Sequence, residues 1–186
     1  MIKFEDYIIE KEDPTLQKIF ELIGKNCKPF LKMINNQYDL YCLYRGISKK
    51  FAHDFFAKKK VRKNRIPRDT QFEYHSAIDE ALYKKFKIRG RSECLFVTGQ
   101  PLNAVKYGDV YLIFPIGNFK FIWSKSIEDL FDITFKAKED KKFYTNLANK
   151  YQTTNLKKAI ESGNEIMIKC KEYYMLNRFW WRSQLM

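Results

Sequence analysis

Three polar side chains stand at the margins of apolar runs, where a strand end can present a reactive group. LYRGIS (residues 43–48) offers the guanidinium of Arg45, LFVTGQPLNAVKYG (residues 95–108) the hydroxyl of Thr98, and GNEIMI (residues 163–168) the carboxylate of Glu165. A planar guanidinium can grip two phosphate oxygens at once, and Gly46 directly after it lacks the Cβ that would hold the backbone away from a ligand. More cationic groups follow in KKKVRKNRIPR (residues 58–68), which supplies Lys58, Lys59, Lys60, Arg62, Lys63, Arg65 and Arg68. So dense a run of like charge cannot be packed inside, so an exposed arm is expected, a solvated face or a track for phosphates or an acidic partner surface. Arg91 in GRSE (residues 90–93) is another candidate phosphate contact, whereas His75 and Asp79, four apart on an expected helix, predict a surface ion pair. The other histidine, His53, lies on the far side of the basic run.

Several chemistries are excluded at once. The chain has neither the glycine pattern of dinucleotide-binding folds nor that of a phosphate-binding loop, and GRSE lacks the paired glycines of a hydrolase nucleophile turn. Cys27, Cys42, Cys94 and Cys170 are widely separated with no neighbouring histidine at ligand spacing, so reduced, mostly buried thiols are expected rather than a metal site.

The elements that must position these groups follow from periodicity. Residues 1–36 form a helical N-terminal part, with two short helices between Pro14 and Asn35 interrupted near Gly24 and Pro29. YDLYCLYRG (residues 38–46) predicts a buried strand, and Asp69 or Thr70 caps a helix running to about Phe86. CLFVT, VYLIF and FKFIW predict three strands, with a short helix between the first two and a tight turn at PIGN between the last two. A helix is expected to open at Ser126 with Asp129 three residues on, then two short helices over residues 143–148 and 155–160, the second closed by Gly163 in a left-handed cap. EIMIKCKEYYML (residues 165–176) predicts two strands or one bent pair, and the tryptophans of NRFWWRSQLM dock on the core or form a binding surface. With hydrophobic residues at 45% and only seven glycines and five prolines, regular elements joined by short connections are expected. Strands without regular βα alternation imply one α+β domain over residues 1–186.

The order of the three motifs resembles the mono-ADP-ribosyltransferases. In that family a strand-borne Arg binds the phosphates of NAD, a strand ending in hydroxyl residues orders the site, and a Glu opens an apolar strand near the C-terminus. The resemblance covers roughly residues 38–176 and implies a split β-sheet core with N-terminal and peripheral helices. It implies Arg45 and Glu165 as catalytic residues, with Arg45, Gly46, Thr98, Tyr107 and Phe114 binding NAD as substrate. Tyr107 and Phe114, like Tyr111, are core or stacking residues for nicotinamide or adenine. Glu165 would hydrogen-bond a ribose hydroxyl and stabilise an oxocarbenium-like transition state. Two departures stand out: one hydroxyl where the family often has three, and Gly163 where a second acidic or amide residue usually helps choose the acceptor, a role open to Glu161 only if the turn brings it round. LYRGISK is also similar to modifying enzymes carried by large tailed phages.

The resemblance therefore implies transfer of ADP-ribose to a host macromolecule, protein in preference to nucleic acid, with the arm at residues 58–68 holding the target. The alternative is a non-catalytic basic protein that holds nucleic acid or blocks a partner, for which the formal charge of +13 speaks. No apolar stretch approaches the ~20 residues of a membrane-crossing helix, and MIKFEDYIIEKED lacks a signal-peptide core, so a cytoplasmic protein is expected, in the host if phage-encoded.

Overall fold

The computed structural model describes residues 14–49, 54–66, 71–130 and 141–179. It is mixed α+β, with seven helices and eight strands among the described residues, the strands arranged in two antiparallel four-stranded sheets. The chain opens with α1 (Pro14–Asn26) and α2 (Lys28–Met33). On α1 the buried positions Leu16, Ile19, Phe20, Ile23 and then Cys27 repeat at three and four residues, so one stripe faces the core. Pro29 stands in the first turn of α2, where its missing N–H costs nothing.

The first sheet runs in the order β1 (Tyr44–Ile47), β4 (Asp109–Pro115), β8 (Glu172–Asn177), β2 (Phe56–Lys60). The second runs β3 (Leu95–Val97), β7 (Ile166–Lys169), β5 (Lys120–Ser124), β6 (Tyr151–Gln152). The edge strands β1 and β3 touch through a single antiparallel bridge, Tyr44 to Thr98, with N–H···O bonds of 2.7 and 2.9 Å. The eight strands thus form one series split in the middle, and that seam is where the backbone of the two sheets comes together.

Two clusters of buried side chains cover the sheets. The larger joins α1 and α2 to the first sheet and to one face of the second, including Trp123, Ile166 and Ile168. The smaller packs Ile122 and Met167 from the other face against α3 (Phe72–Phe86) and α6 (Lys141–Asn149). A sheet covered on both faces needs unbroken apolar runs, and this is why FIW and IMI do not alternate with polar residues. Helices α4 (Gly90–Glu93), α5 (Pro101–Val105) and α7 (Leu156–Ser162) are short connections.

Several expected elements differ in detail. Residues 38–41 make a turn rather than the start of a strand, because Leu40 and Tyr41 both donate to the Gln37 carbonyl and Asn35 and Asn36 precede them in the left-handed region. The basic arm is only partly a loop: Lys58, Lys59 and Lys60 pair with β8 on the sheet edge, where protruding lysines discourage a further strand from adding. The predicted helix at Ser126 does not form there, since the Ser124 hydroxyl accepts the Ser126 N–H and helix begins no earlier than Leu130. The two strands of residues 165–176 form, but in different sheets. Helix α3 begins at Phe72, while the expected caps Asp69 and Thr70, together with His53, Arg68 and the tryptophan pair, lie outside the described residues.

Candidate active site

The seam gathers the three residues singled out from the sequence. Arg45 follows the bridge residue Tyr44 on β1, and its Nη1 donates to the Phe96 carbonyl of β3 at 2.7 Å. Thr98 ends β3, and Val97 pairs with Ile166, so Glu165 precedes β7 immediately beside it. The Thr98 hydroxyl donates to the Gly163 carbonyl at 2.5 Å and accepts the Gln100 N–H at 3.1 Å. Its role is structural, tying β3 and the start of α5 to the turn that carries Glu165.

That turn is held from every side. Gly163 closes α7 at φ +72°, a conformation that favours glycine, and its carbonyl accepts from Asn103 Nδ2 as well, at 3.1 Å. A Cβ at this position would sit 2.6 Å from Gln100 Cγ. Asn164 is buried and donates its side-chain amide to the Ser124 carbonyl at 2.9 Å. The Glu165 N–H donates to the Glu128 carbonyl at 2.7 Å, and the Leu130 amide donates to the Glu165 carboxylate. Residues 128–130 therefore straddle Glu165, and Asp129 lies between the two contacts.

Glu165 as a residue is only half-buried, yet its Oε1 is shielded from solvent and has no hydrogen-bond partner among the described residues. Burial, with the Asp129 carboxylate nearby, pushes its carboxyl up to about 8, against the opposing pull of Arg91, Arg65 and the Leu130 amide. An orphaned buried oxygen is rare and costly in a folded protein, which makes Glu165 a candidate for a functional role. Burial also lowers the Arg45 pKa, Arg62 lowering it further while Tyr173 and Glu165 oppose the shift.

The remaining candidates divide. Tyr107 is 60% exposed and its hydroxyl donates to Asp129 Oδ2 at 2.8 Å, so it orients a carboxylate of the site. Phe114 is a core residue, 4% exposed and edge-on to Phe30 at 6.1 Å, which leaves it no face for a ligand; Tyr111 is buried too. Gly46 is required by a helix and not by a ligand, because a Cβ there would stand 2.0 Å from the Ala104 carbonyl oxygen of α5. Glu161 is exposed and accepts from Tyr41 at 3.1 Å. Lys58 and Lys59 pair with Glu172 at 2.8 Å and Asp54 at 3.4 Å, while Lys60, Arg62, Lys63 and Arg65 stay exposed.

His75 and Asp79 are not a surface pair. Both are buried and both serve Arg91: Asp79 Oδ1 accepts its backbone N–H at 2.8 Å and His75 Nδ1 accepts its Nε–H at 3.2 Å. Asn103 and Asn164 carry no sequence signal, and Asp129 reads only as part of a helix cap, because each is a polar residue in a connection whose partner is distant in the chain. Among the described residues no group of three or more His, Cys, Asp or Glu is placed to hold a metal ion, and no helix is long and apolar enough to cross a membrane. Comparison with known proteins gives no match, neither among family models nor among curated proteins or solved structures.

Proposed function

We infer that this chain is an NAD-dependent mono-ADP-ribosyltransferase acting on a macromolecular acceptor, with protein preferred over nucleic acid. The observation that carries the reading is the meeting of Arg45 and Glu165 at the seam between β1, β3 and β7, with Oε1 of Glu165 shielded and unpartnered. A guanidinium suits the phosphates of a dinucleotide, and a carboxylate beside it suits a ribose carbon that gains positive charge.

In this reading the bond from the ribose carbon to the nicotinamide nitrogen breaks, and its electron pair leaves with neutral nicotinamide. The acceptor then forms the new bond to that carbon and its proton passes to a carboxylate. Asp129 suits this last role, held by Tyr107 beside Glu165, whereas Gly163 carries no carboxylate and Glu161 is engaged by Tyr41. Burial raises the Glu165 carboxyl to about 8 in the empty site despite Arg91 and Arg65, so the positive nicotinamide ring favours its charged form on binding. Label from NAD should enter proteins of a host lysate with the wild-type chain and not with Glu165→Ala; equal labelling by both would remove Glu165 from the mechanism.

A second reading is a non-catalytic binder of nucleic acid, favoured by the charge of +13 and by the exposed run from Lys60 to Arg65. It requires affinity that falls steeply with salt and an unchanged melting temperature in the presence of NAD.

A further inference from the structure

We propose that Arg65, packed on Phe96 and tied to Ser92, and Arg91, held by His75, form a phosphate-binding subsite next to Glu165, so that this part of the basic arm belongs to the site and not to an outer docking surface. The inference goes beyond the transferase reading and concerns anion binding alone, so it stands whether or not Glu165 does chemistry.

Arg65 sits with its guanidinium carbon 4.5 Å above the centre of the Phe96 ring, and its backbone N–H donates to the Ser92 carbonyl at 3.1 Å. A cation held over a ring face engages the π-system and not its own N–H donors, which suit oxygen acceptors. Arg45 donates to the carbonyl of that same Phe96, so one residue of β3 gathers two arginines. Among the described residues neither Arg45, Arg62 nor Arg65 forms an ion pair.

Arg91 is held more firmly still. His75 Nδ1 accepts its Nε–H at 3.2 Å, and the Arg65 backbone is tied to the neighbouring residue Ser92, which brings the arm to the same segment. Asp79 accepts the Arg91 backbone N–H and also the Ser92 hydroxyl. His75 and Asp79 are 5% and 4% exposed, so the scaffold under Arg91 is buried although Arg65 itself reaches solvent. One buried side chain thus orients the Arg91 guanidinium and the other fixes the backbone that carries it, an arrangement that suits preorganisation.

The charges also repel. Burial, then Arg45, with Arg91 and Arg62, pushes the Arg65 guanidinium down to about 10, and only Glu165 opposes them. A phosphate dianion placed among these groups relieves that repulsion and accepts in-plane donors from two arginines, which an acceptor with a single negative oxygen cannot do as well.

Calorimetric titration of the full chain at low salt tests this with pyrophosphate, inorganic phosphate and NAD as probes. Pyrophosphate should bind the wild type, and Arg65→Gln and Arg91→Gln should each weaken it by about tenfold, the worth of one charge-assisted contact. Lys58→Gln, which alters a lysine paired with Glu172 on the sheet edge, should change nothing. Arg65 is exposed, so Arg65→Gln keeps its fold and decides the matter even if Arg91→Gln does not. If NAD weakens in parallel with pyrophosphate, the subsite holds the dinucleotide's own phosphates; if only pyrophosphate and phosphate weaken, it holds those of a separate molecule. No pyrophosphate binding by the wild type, or equal weakening by Lys58→Gln and Arg65→Gln, overturns the proposal.

Discussion

At the scale of single residues, the account turns on what Glu165 costs the fold. Its carboxyl is raised from the ordinary range to about 8, so the folded chain holds this proton more tightly than the unfolded one. The associated stability is complete below about pH 4.5 and is lost as pH rises through 8. Urea unfolding should therefore show Glu165→Gln gaining on the wild type at pH 9 by about 1–3 kcal/mol relative to pH 5, the cost of a charged oxygen left without a partner. Parallel pH profiles for the two proteins would contradict the burial of this carboxylate. Gly46 supplies a second test: Gly46→Ala should lower stability by about 1–3 kcal/mol in thermal unfolding, because its Cβ meets a backbone oxygen that cannot move aside without shifting α5. A neutral effect would mean that β1 and α5 are not so closely packed.

Elements decide how these residues meet. The Thr98 hydroxyl and the Asn103 amide both hold the Gly163 carbonyl, linking β3 and α5 to the turn before β7. Thr98→Val should cost about 1–3 kcal/mol by leaving the Gln100 N–H without its acceptor, and combining it with Asn103→Ala should depart from additivity because the two share one carbonyl. Helices α3 and α4 are joined in the same way, through the Arg91 Nε–H that donates to His75. Burial and the nearby Arg91 charge lower its pKa, so the unfolded chain protonates first and stability falls as pH drops below 6.5. A His75→Gln variant should lack that acid slope; retention of the slope would assign it to another group.

How far the sequence reveals these elements depends on the range of the signal. Helices α1 and α2, the strands β3, β4 and β5 and the glycine cap of α7 follow from local periodicity and turn chemistry, and they are legible. The motif residues Arg45, Thr98 and Glu165 are legible as strand-end groups, and their convergence follows once β1 touches β3 and β3 pairs with β7. The role of Gly46 is hidden because the clashing atom belongs to Ala104, and that of Phe114 because a strand pattern does not say which aromatic rings reach a cleft. His75 misleads for a related reason. Spacing to Asp79 suggests a pair on a surface, but both are turned to Arg91, a partner 16 residues away from His75 that belongs to another element.

At the scale of the whole molecule, the excess of positive charge is not evenly meaningful. Lys58 and Lys59 are engaged by carboxylates at the sheet edge, whereas Arg91 is held by buried His75 and Asp79 and Arg65 packs on Phe96. Nonspecific attraction to polyanions is expected from the net charge of +13, and it should fade steeply between low and moderate salt. Any interaction that depends on the seam should instead be sensitive to Arg65→Gln at fixed salt and indifferent to Lys58→Gln. The two sheets meet at one bridge, so the seam is the place where a ligand can contact both halves, and NAD binding should raise the melting temperature of the intact chain.

If Glu165 stabilises positive charge on a ribose at this seam, single-turnover release of nicotinamide from NAD is the step that depends on it. The account predicts release by the wild type and a rate about 10²–10³-fold lower for Glu165→Gln, with NAD affinity little changed, as expected when one transition-state contact is removed. Release at equal rates by the two proteins, or no release by a wild-type chain that binds NAD, would contradict it.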